Sequence, residues 1–543
     1  MKKVRILSLL SVTALVTTVL VAVPVAANAA PACDGKSPIQ SCVGVTSDGA
    51  PYAMQVPANF NGTVALYSHG YRYNVDIPAA IPLIGGYKIT NTPEPVPGGN
   101  AEVAKYFFSQ GIAIVGSGFA RQGWNPDSAI KTNVELIDTF KKQFPKTTKV
   151  VAWGSSLGGV ITQGLAEKYP NLVSAVAPMC MADNIEPQLT AAGDFLWGIK
   201  VLFDPTIKGG NYSPGAAGVA ESYADLGKVF TVMGKLQGGI SSGAWPDTSS
   251  ATGKALAAAG VPVRSALLFL GLMAGVPTQS AHFDSISGPE GALKLSFPLA
   301  VSPALAILEN GTNAAALAIL ATQDVEMQVG GAVFDNTKTD YASRIESERV
   351  IFNAALSGVT VINALLGAVS ASNPGAPRAV ANPAAVAKMR ALHMNTGKIN
   401  VPTILMVGVA DPITPAGASQ RVVNAYAEQY AAEKMAAMKE YQKTRSYKTP
   451  DKKLLMLWNI TPENYTKFAS TGAPITSTPA AQGTNHCNFT SAQLVLVAKS
   501  LVQASSTGKL PSGGPLLTAA RKAGNLLIDP LFEVPLLKYY GDN

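Results

Sequence analysis

VVAWGSSLGGVITQGLAEKYP, residues 150–170, passes from an apolar strand pattern into an amphipathic helix pattern with almost no loop between them. Val150, Val151, Ala152 and Trp153 read as a buried strand, whereas Leu157, Val160, Ile161 and Leu165 recur at helical spacing. Between them stands Gly154-Ser155-Ser156-Leu157-Gly158, a G-x-S-x-G pattern. A strand-to-helix turn this tight forces its central residue into a strained backbone conformation and projects that side chain away from the sheet. Its neighbours must therefore be small, and Gly154, Gly158 and Gly159 meet that need. The same geometry sets Ser156 Oγ at a helix N-terminus, where backbone N–H groups stabilise developing negative charge. Ser156 is a candidate nucleophile. The alternative is a glycine-rich turn made for packing, and the placement between strand and helix argues against it.

The surrounding chain alternates strand and helix signals. TVALYSHG reads as a strand ending in His69-Gly70, AEVAKYFFSQG as a helix closed by Gly111, and IAIVGSGF as a strand. Asn125-Pro126 opens a helix with Ile130, Val134 and Ile137 on one face, and LVSAVAPMC follows the serine segment as another strand. This order predicts an α/β fold, a mostly parallel, doubly wound sheet covered on both faces. Reactive groups then belong at the carboxyl ends of strands, where Ser156 falls. After Cys180 the pattern breaks. Residues 183–395 are rich in Ala, Gly, Leu and Pro with mostly helical apolar runs, including VRSALLFLGLMAGV and ALAILENGTNAAALAIL, and show no repeat of fixed period. The buried-strand signature returns at INVPTILMVGVADP, followed by a long helix near residues 421–441 and the strand LLMLW. The expected organisation is residues 1–30 as an export signal, 31–182 as the first part of the core, 183–395 as a mainly helical insertion capping the carboxyl edge, and 396–543 as the second part of the core with a C-terminal extension.

The export signal rests on Lys2, Lys3 and Arg5 ahead of the apolar run 6–23, with Ala27-Asn28-Ala29 as the small-residue cleavage site. An uncleaved anchor is the alternative, since roughly 18 apolar residues approach a membrane span. No comparably uninterrupted run follows, so no stable membrane span is expected once the signal is removed, and the chain is read as secreted or periplasmic. Hydrophobic residues make up 47% and charged residues 14% of the sequence, which fits a well-buried globular protein. The net charge of +8 falls to about +5 without the signal cations, with lysines scattered and no basic-aromatic block, so nucleic acid is not an expected partner. Four cysteines in an exported chain favour disulfides, with three connectivities open. Cys33 and Cys42 flank the short hydrophilic loop CDGKSPIQSC and are expected to pair.

A serine hydroxyl needs a base within hydrogen-bond reach and a third group to orient that base. Of the four histidines, His69 precedes the serine, His282 lies in the inserted block and His393 comes just before the strand signal resumes. His486, after the last predicted strand, is the candidate base. Asp411 follows directly on the buried strand at 401–409 and is the candidate acid. Asp451 lies at the wrong end of a strand, and Asp183 is a weaker alternative. No His, Cys and carboxylate group has metal-ligand spacing, and no cofactor is expected.

With these residues in place, residues 60–180 and 396–505 resemble the α/β-hydrolase family. The resemblance implies the α/β-hydrolase fold, with a large helical cap after the sixth strand. It implies a nucleophile elbow of Gly154, Ser156 and Gly158, and a triad of Ser156, Asp411 and His486. The oxyanion loop is implied at His69-Gly70-Tyr71, with N–H groups of Leu157 and of Tyr71 or Gly70 forming the hole and His69 shaping the loop. The activity implied is that of an exported serine esterase or lipase-like hydrolase acting on a small-molecule or polymeric ester, with an apolar ester favoured by the composition of the insertion. A serine peptidase or acyltransferase on the same fold, or a non-catalytic envelope protein, are the alternatives. His486-Cys487 also resembles the tannase and feruloyl-esterase group, in which a cysteine after the catalytic histidine bonds to one directly before the nucleophile. Ser155 stands there in this chain, so that group's substrate is not carried over. Cys180, at the end of the neighbouring strand, is expected to bridge to Cys487 as a variant of that arrangement, with two free buried cysteines as the alternative.

Overall fold

The computed structural model describes residues 30–34, 38–81, 85–182, 184–280, 302–461, 482–529 and 532. The export-signal reading, Asp183 and His282 lie outside them.

Ten strands form one mixed sheet in the order β1-β2-β3-β5-β4-β6-β7-β8-β9-β10. Its centre is parallel: β5 (Ala113–Ser117), β4 (Thr63–Ser68), β6 (Lys149–Ser155), β7 (Ala175–Met179), β8 (Thr403–Gly408) and β9 (Leu454–Asn459). β1 (Ala32–Asp34), β2 (Ile39–Val45) and β3 (Pro51–Pro57) add an antiparallel flank on one side, and the short β10 (Leu526–Leu527) does so on the other. The central strands read as continuous apolar runs because both faces are covered. On one face Leu66, Val150, Ala152, Val176, Leu405 and Val407 pack with α2 (Pro126–Gln143) and α3 (Leu157–Lys168). On the other, the alternating residues Tyr67, Val151, Trp153, Ala177, Ile404 and Met406 pack with α1 (Ala101–Ser109) and the helix Ser491–Thr507. This is the mixed α/β architecture that the hydrolase resemblance implies.

The helical segment leaves the sheet after the seventh strand, not the sixth. The extra strand is β1, in the stretch read above as a hydrophilic loop. Cys33 faces Cys42 across an antiparallel register, and their disulfide, with a Cα–Cα distance of 4.0 Å, joins the two strands where hydrophobic alternation is too weak to announce either. Between β7 and β8 the described residues are helical, led by α4 (Ile185–Leu202), α5 (Ala216–Ser242), α6 (Ala251–Ala258), α7 (Val263–Ala274) and α8 (Ser302–Val329). They build a core of their own. Residues 263–274 of VRSALLFLGLMAGV, nearly all fully buried, belong to it. α8 is long and apolar enough to cross a membrane by composition, yet 56% of its most apolar window is buried inside the protein, and it packs against α4, α5 and α7.

Trp153 is fully buried, with its ring edge-to-face against Tyr67 at 5.4 Å and Phe107 at 5.6 Å. Removing so large a side chain from a core strand costs about 3–5 kcal/mol. Trp153→Ala is therefore expected to lower the thermal midpoint by several degrees in scanning calorimetry, with Trp153→Phe recovering part of the loss.

Candidate active site

Ser156 sits between β6 and α3 with φ 59° and ψ −124°, a left-handed conformation that a residue with a Cβ adopts only when its surroundings impose it. The surroundings here are close backbone approaches. A Cβ at Gly154 would run into the carbonyl of Gly158, and one at Gly158 would run into the carbonyl of Ser68. The Ser156 N–H donates to Met179 O at 2.9 Å, which ties the turn to the end of β7.

His486 Nε2 lies 2.8 Å from Ser156 Oγ. Its Nδ1 lies 3.0 Å from each carboxylate oxygen of Asp411. Asp411 is fully buried, and its charge is compensated by backbone donors: Ile413 N at 2.9 Å and Thr414 N at 3.0 Å to Oδ1, and Cys487 N at 3.1 Å to Oδ2. With Nδ1–H donating to Asp411, Nε2 is free to accept from the serine hydroxyl. The structure thus brings together the three residues picked from the sequence, each just beyond the carboxyl end of its strand or on a loop tied to one.

The loop bearing His486 is held at three points. Asn485 and Cys487 both have positive φ, 59° and 51°, so the histidine is flanked by backbone that needs external support. Thr484 bridges to Ala410, one residue before the acid, and Ala410 N donates to Gly483 O at 2.9 Å. Cys487 is disulfide-bonded to Cys180 with a Cα–Cα distance of 5.4 Å, and its Sγ packs 3.5 Å from His486 Nε2. Because that sulfur is spent in the disulfide, Asp411, His486 and Cys487 do not form a metal-binding set despite their closeness. Two disulfides are consistent with an oxidising, extracytoplasmic compartment.

The loop after β4 faces the serine. A Cβ at Gly70 would lie 3.2 Å from that of Ser156, so the backbone passes in van der Waals contact. His69 is buried and its Nδ1 lies 2.7 Å from Gly70 O. Since a carbonyl only accepts, Nδ1 carries the proton. Burial, with Arg72 nearby, pushes the His69 pKa down to about 4, so the ring is neutral at neutral pH. It fixes the plane of the Gly70–Tyr71 peptide whose N–H is a predicted oxyanion donor. His393 is a buried residue whose Nε2 meets Asn395 Oδ1 at 2.8 Å, with its pKa lowered by desolvation.

Ser156 opens into a cavity of about 110 Å³ lined mainly by small and apolar groups. Leu189, Phe195, Val276 and Ala318 from the helical segment face Trp124 and Ile413 from the sheet side. Only the last residues of VRSALLFLGLMAGV, Ala274 to Val276, reach it. The wall comes mainly from α4 and from the Gly311, Ala314, Ala318 and Ala321 stripe of α8.

Sequence reasoning missed Thr414, whose hydroxyl stands 3.5 Å from His486 Nδ1, and Asp324 of α8. Asp324 is buried and receives Tyr71 OH, Asn74 Nδ2, Trp124 N and Gln328 Nε2. Its pKa is raised by burial, against the lowering effect of those donors. A lone aspartate in a helical run carries no signal of such depth.

No protein-family model matches the chain, and no curated protein matches it. Among solved structures it is similar to feruloyl esterase B from Aspergillus oryzae, at 12% identity over 87% of this chain and 81% of that one, with a TM-score of 0.35. It is also similar to an esterase from Aspergillus oryzae, at 11% identity over 87% and 81%, with a TM-score of 0.37. A match to an esterase from Pyrococcus furiosus, at 11% identity and a TM-score of 0.21, covers 28% of this chain and about half, 55%, of that one. At these identities and scores the likenesses say nothing of substrate.

The Cys180–Cys487 bond holds the His486 loop, whereas Cys33–Cys42 lies on the distant sheet flank. The double variant Cys180→Ala/Cys487→Ala is expected to slow fluorophosphonate modification of Ser156 by about 10- to 100-fold, the scale on which small misplacements act. Cys33→Ala/Cys42→Ala should leave that rate unchanged, and mass spectrometry of the labelled peptide reads both.

Proposed function

We propose that this protein is an exported serine hydrolase that cleaves carboxylic esters with an apolar acyl group. The observation that carries the reading is the hydrogen-bonded series Ser156 Oγ, His486 Nε2 and Nδ1, Asp411, opening on an apolar cavity. Ser156 Oγ attacks the acyl carbon while His486 Nε2 takes its proton, and Asp411 steadies the imidazolium. Negative charge on the former carbonyl oxygen is received by backbone N–H groups of Leu157 and of Gly70 or Tyr71. The tetrahedral intermediate collapses, His486 returns the proton to the departing alkoxide, and an alcohol leaves. Water, deprotonated by His486, then attacks the acyl-enzyme and releases the carboxylic acid and free Ser156. The helical segment acts as a cap supplying the acyl-binding wall.

Ser156→Ala and His486→Ala are each expected to lower kcat by several orders of magnitude with the circular dichroism spectrum unchanged, because each removes a member of one cooperative unit. Asp411→Asn should cost somewhat less. Fluorophosphonate labelling of the wild type should map to Ser156 and disappear in Ser156→Ala. If His393→Ala abolishes turnover while His486→Ala retains it, the assignment of the base is wrong.

The cavity sets the substrate prediction. Each buried methylene is worth up to about 0.8 kcal/mol, roughly fourfold in kcat/KM. Para-nitrophenyl esters assayed below their aggregation limits should rise in kcat/KM from acetyl toward octanoyl. A fall beyond acetyl or butyryl would remove the acyl-groove reading.

A further inference from the structure

Asp324 is a buried carboxylate with no bond to Ser156, His486 or Asp411, and catalysis as described above makes no use of it. Its four donors come from three separate segments. Tyr71 OH, at 3.1 Å, and Asn74 Nδ2, at 2.7 Å, belong to the loop after β4. Trp124 N, at 2.7 Å, belongs to the loop between β5 and α2. Gln328 Nε2, at 3.0 Å, belongs to α8 itself. Oδ2 takes Tyr71 and Trp124, and Oδ1 takes Asn74 and Gln328, so the carboxylate is fully occupied as an acceptor. The two loops also meet directly through Gly123 N to Arg72 O at 2.9 Å. Gly123 has φ 76°, and a Cβ there would run into the Asp324 carboxylate. The approach is therefore built into the backbone.

Burying a charged side chain is unfavourable unless donors satisfy it, and the four that do so here fix the relative position of three segments. What depends on it here is the stretch Gly70–Tyr71. Gly70 is in van der Waals contact with Ser156, and Tyr71 lines the cavity beside Ser156 and Leu157. His69 sets the rotation of the Gly70–Tyr71 peptide through Gly70 O. Nothing in that bond fixes how far the loop stands from the serine. The Tyr71 hydroxyl, anchored to Asp324, supplies that restraint from the other side. Asp324 also lies one turn beyond Ala321 on the stripe of α8 that lines the cavity, so one helix carries both the acyl wall and the anchor.

We infer that Asp324 is the positioning residue of the oxyanion-binding loop, supplied by the helical segment and acting through Tyr71 and Trp124 on the N–H groups at Gly70–Tyr71. This rests on the hydrolase reading given above. A residue acting in this way affects the tetrahedral intermediate and leaves ester binding in the ground state nearly unchanged.

The test is the full exported chain as wild type, Asp324→Asn and Tyr71→Phe, with every rate divided by the concentration of sites titrated by a fluorophosphonate. Three quantities are read: kcat and KM for para-nitrophenyl butyrate, and the inhibition constant of a trifluoromethyl ketone, which forms a tetrahedral oxyanion on the serine. Asp324→Asn keeps the size of the side chain but replaces two acceptor positions by donors. It is expected to lower kcat per titrated site by about 10- to 100-fold and to weaken the ketone by the same factor, with KM within about twofold. Tyr71→Phe removes one donor only and should move kcat and ketone affinity together by a smaller factor, so the proposal remains testable if Asp324→Asn fails to fold. A purely structural role would reduce the titrated fraction and the melting temperature while leaving kcat per site and ketone affinity at wild-type values, and that result overturns the inference. A loss confined to KM overturns it as well. If the wild type neither reacts with the fluorophosphonate nor turns over the ester, the hydrolase reading fails and the inference falls with it.

Discussion

The left-handed backbone at Ser156 is the constraint on which the rest of the site depends. A serine at φ 59° is strained by roughly 1–3 kcal/mol, and such a residue persists only where its neighbours over-determine it. They do so by leaving no room. Gly154 and Gly158 are pressed against backbone carbonyls, the Ser156 N–H is taken by the end of β7, and α3 starts at the next residue. Relaxing the turn would require β4, β6 and β7 to move apart. Their parallel register, Ser68 beside Gly154 and Ser155 beside Met179, is fixed by a core closed on both faces. Packing energy far from the site thereby holds the hydroxyl where it can meet the imidazole.

The same register explains why residues so far apart in sequence converge. Gly70 follows β4, Ser156 follows β6, Cys180 follows β7 and Asp411 follows β8, and all four strands end on one edge. Only His486 lacks a strand directly before it. The compensation is local and covalent: a bridge to Ala410, a backbone N–H given to Asp411 by Cys487, and a disulfide spanning 307 residues. Asp411 is accordingly more than the acid of the proposed triad. It also ties down the loop of the base it orients.

What was legible in the sequence follows this division. Strand-to-helix geometry is encoded within a few residues, so Gly154-Ser155-Ser156-Leu157-Gly158 announced both the turn and its serine, and Asp411 could be placed because it ends a buried apolar run. β1 was not legible, because three exposed residues clipped by a disulfide carry no alternation. The apolar runs of the helical segment were legible as buried but not as to where. α7 was as apolar as any cavity wall, yet it fills the segment's own core, while the wall itself comes from α4 and from small residues of α8, a run legible as apolar but not as facing Ser156. Polar residues such as Asp324 and Thr414 acquire meaning only from partners 200 and 72 residues away, which no local pattern records.

That last class shows how the helical segment and the sheet come to act as one unit. Close apolar contacts, Gly311 against Phe195 and Ile307 against Gly271, seat α8 in the helical segment's own core, whereas its small-residue stripe beside the cavity leaves it freer against the loops of the sheet edge. A carboxylate with four directional partners does not permit that freedom. Displacing α8 by even part of a turn would leave Asp324 buried and unsatisfied, at about 1–3 kcal/mol for each donor or acceptor abandoned and more for the charge. The buried polar junction therefore fixes how α8 meets the loops that carry Tyr71 and Trp124. In that seating the cavity lies beside Ser156, and the loop at Gly70–Tyr71 is held against it.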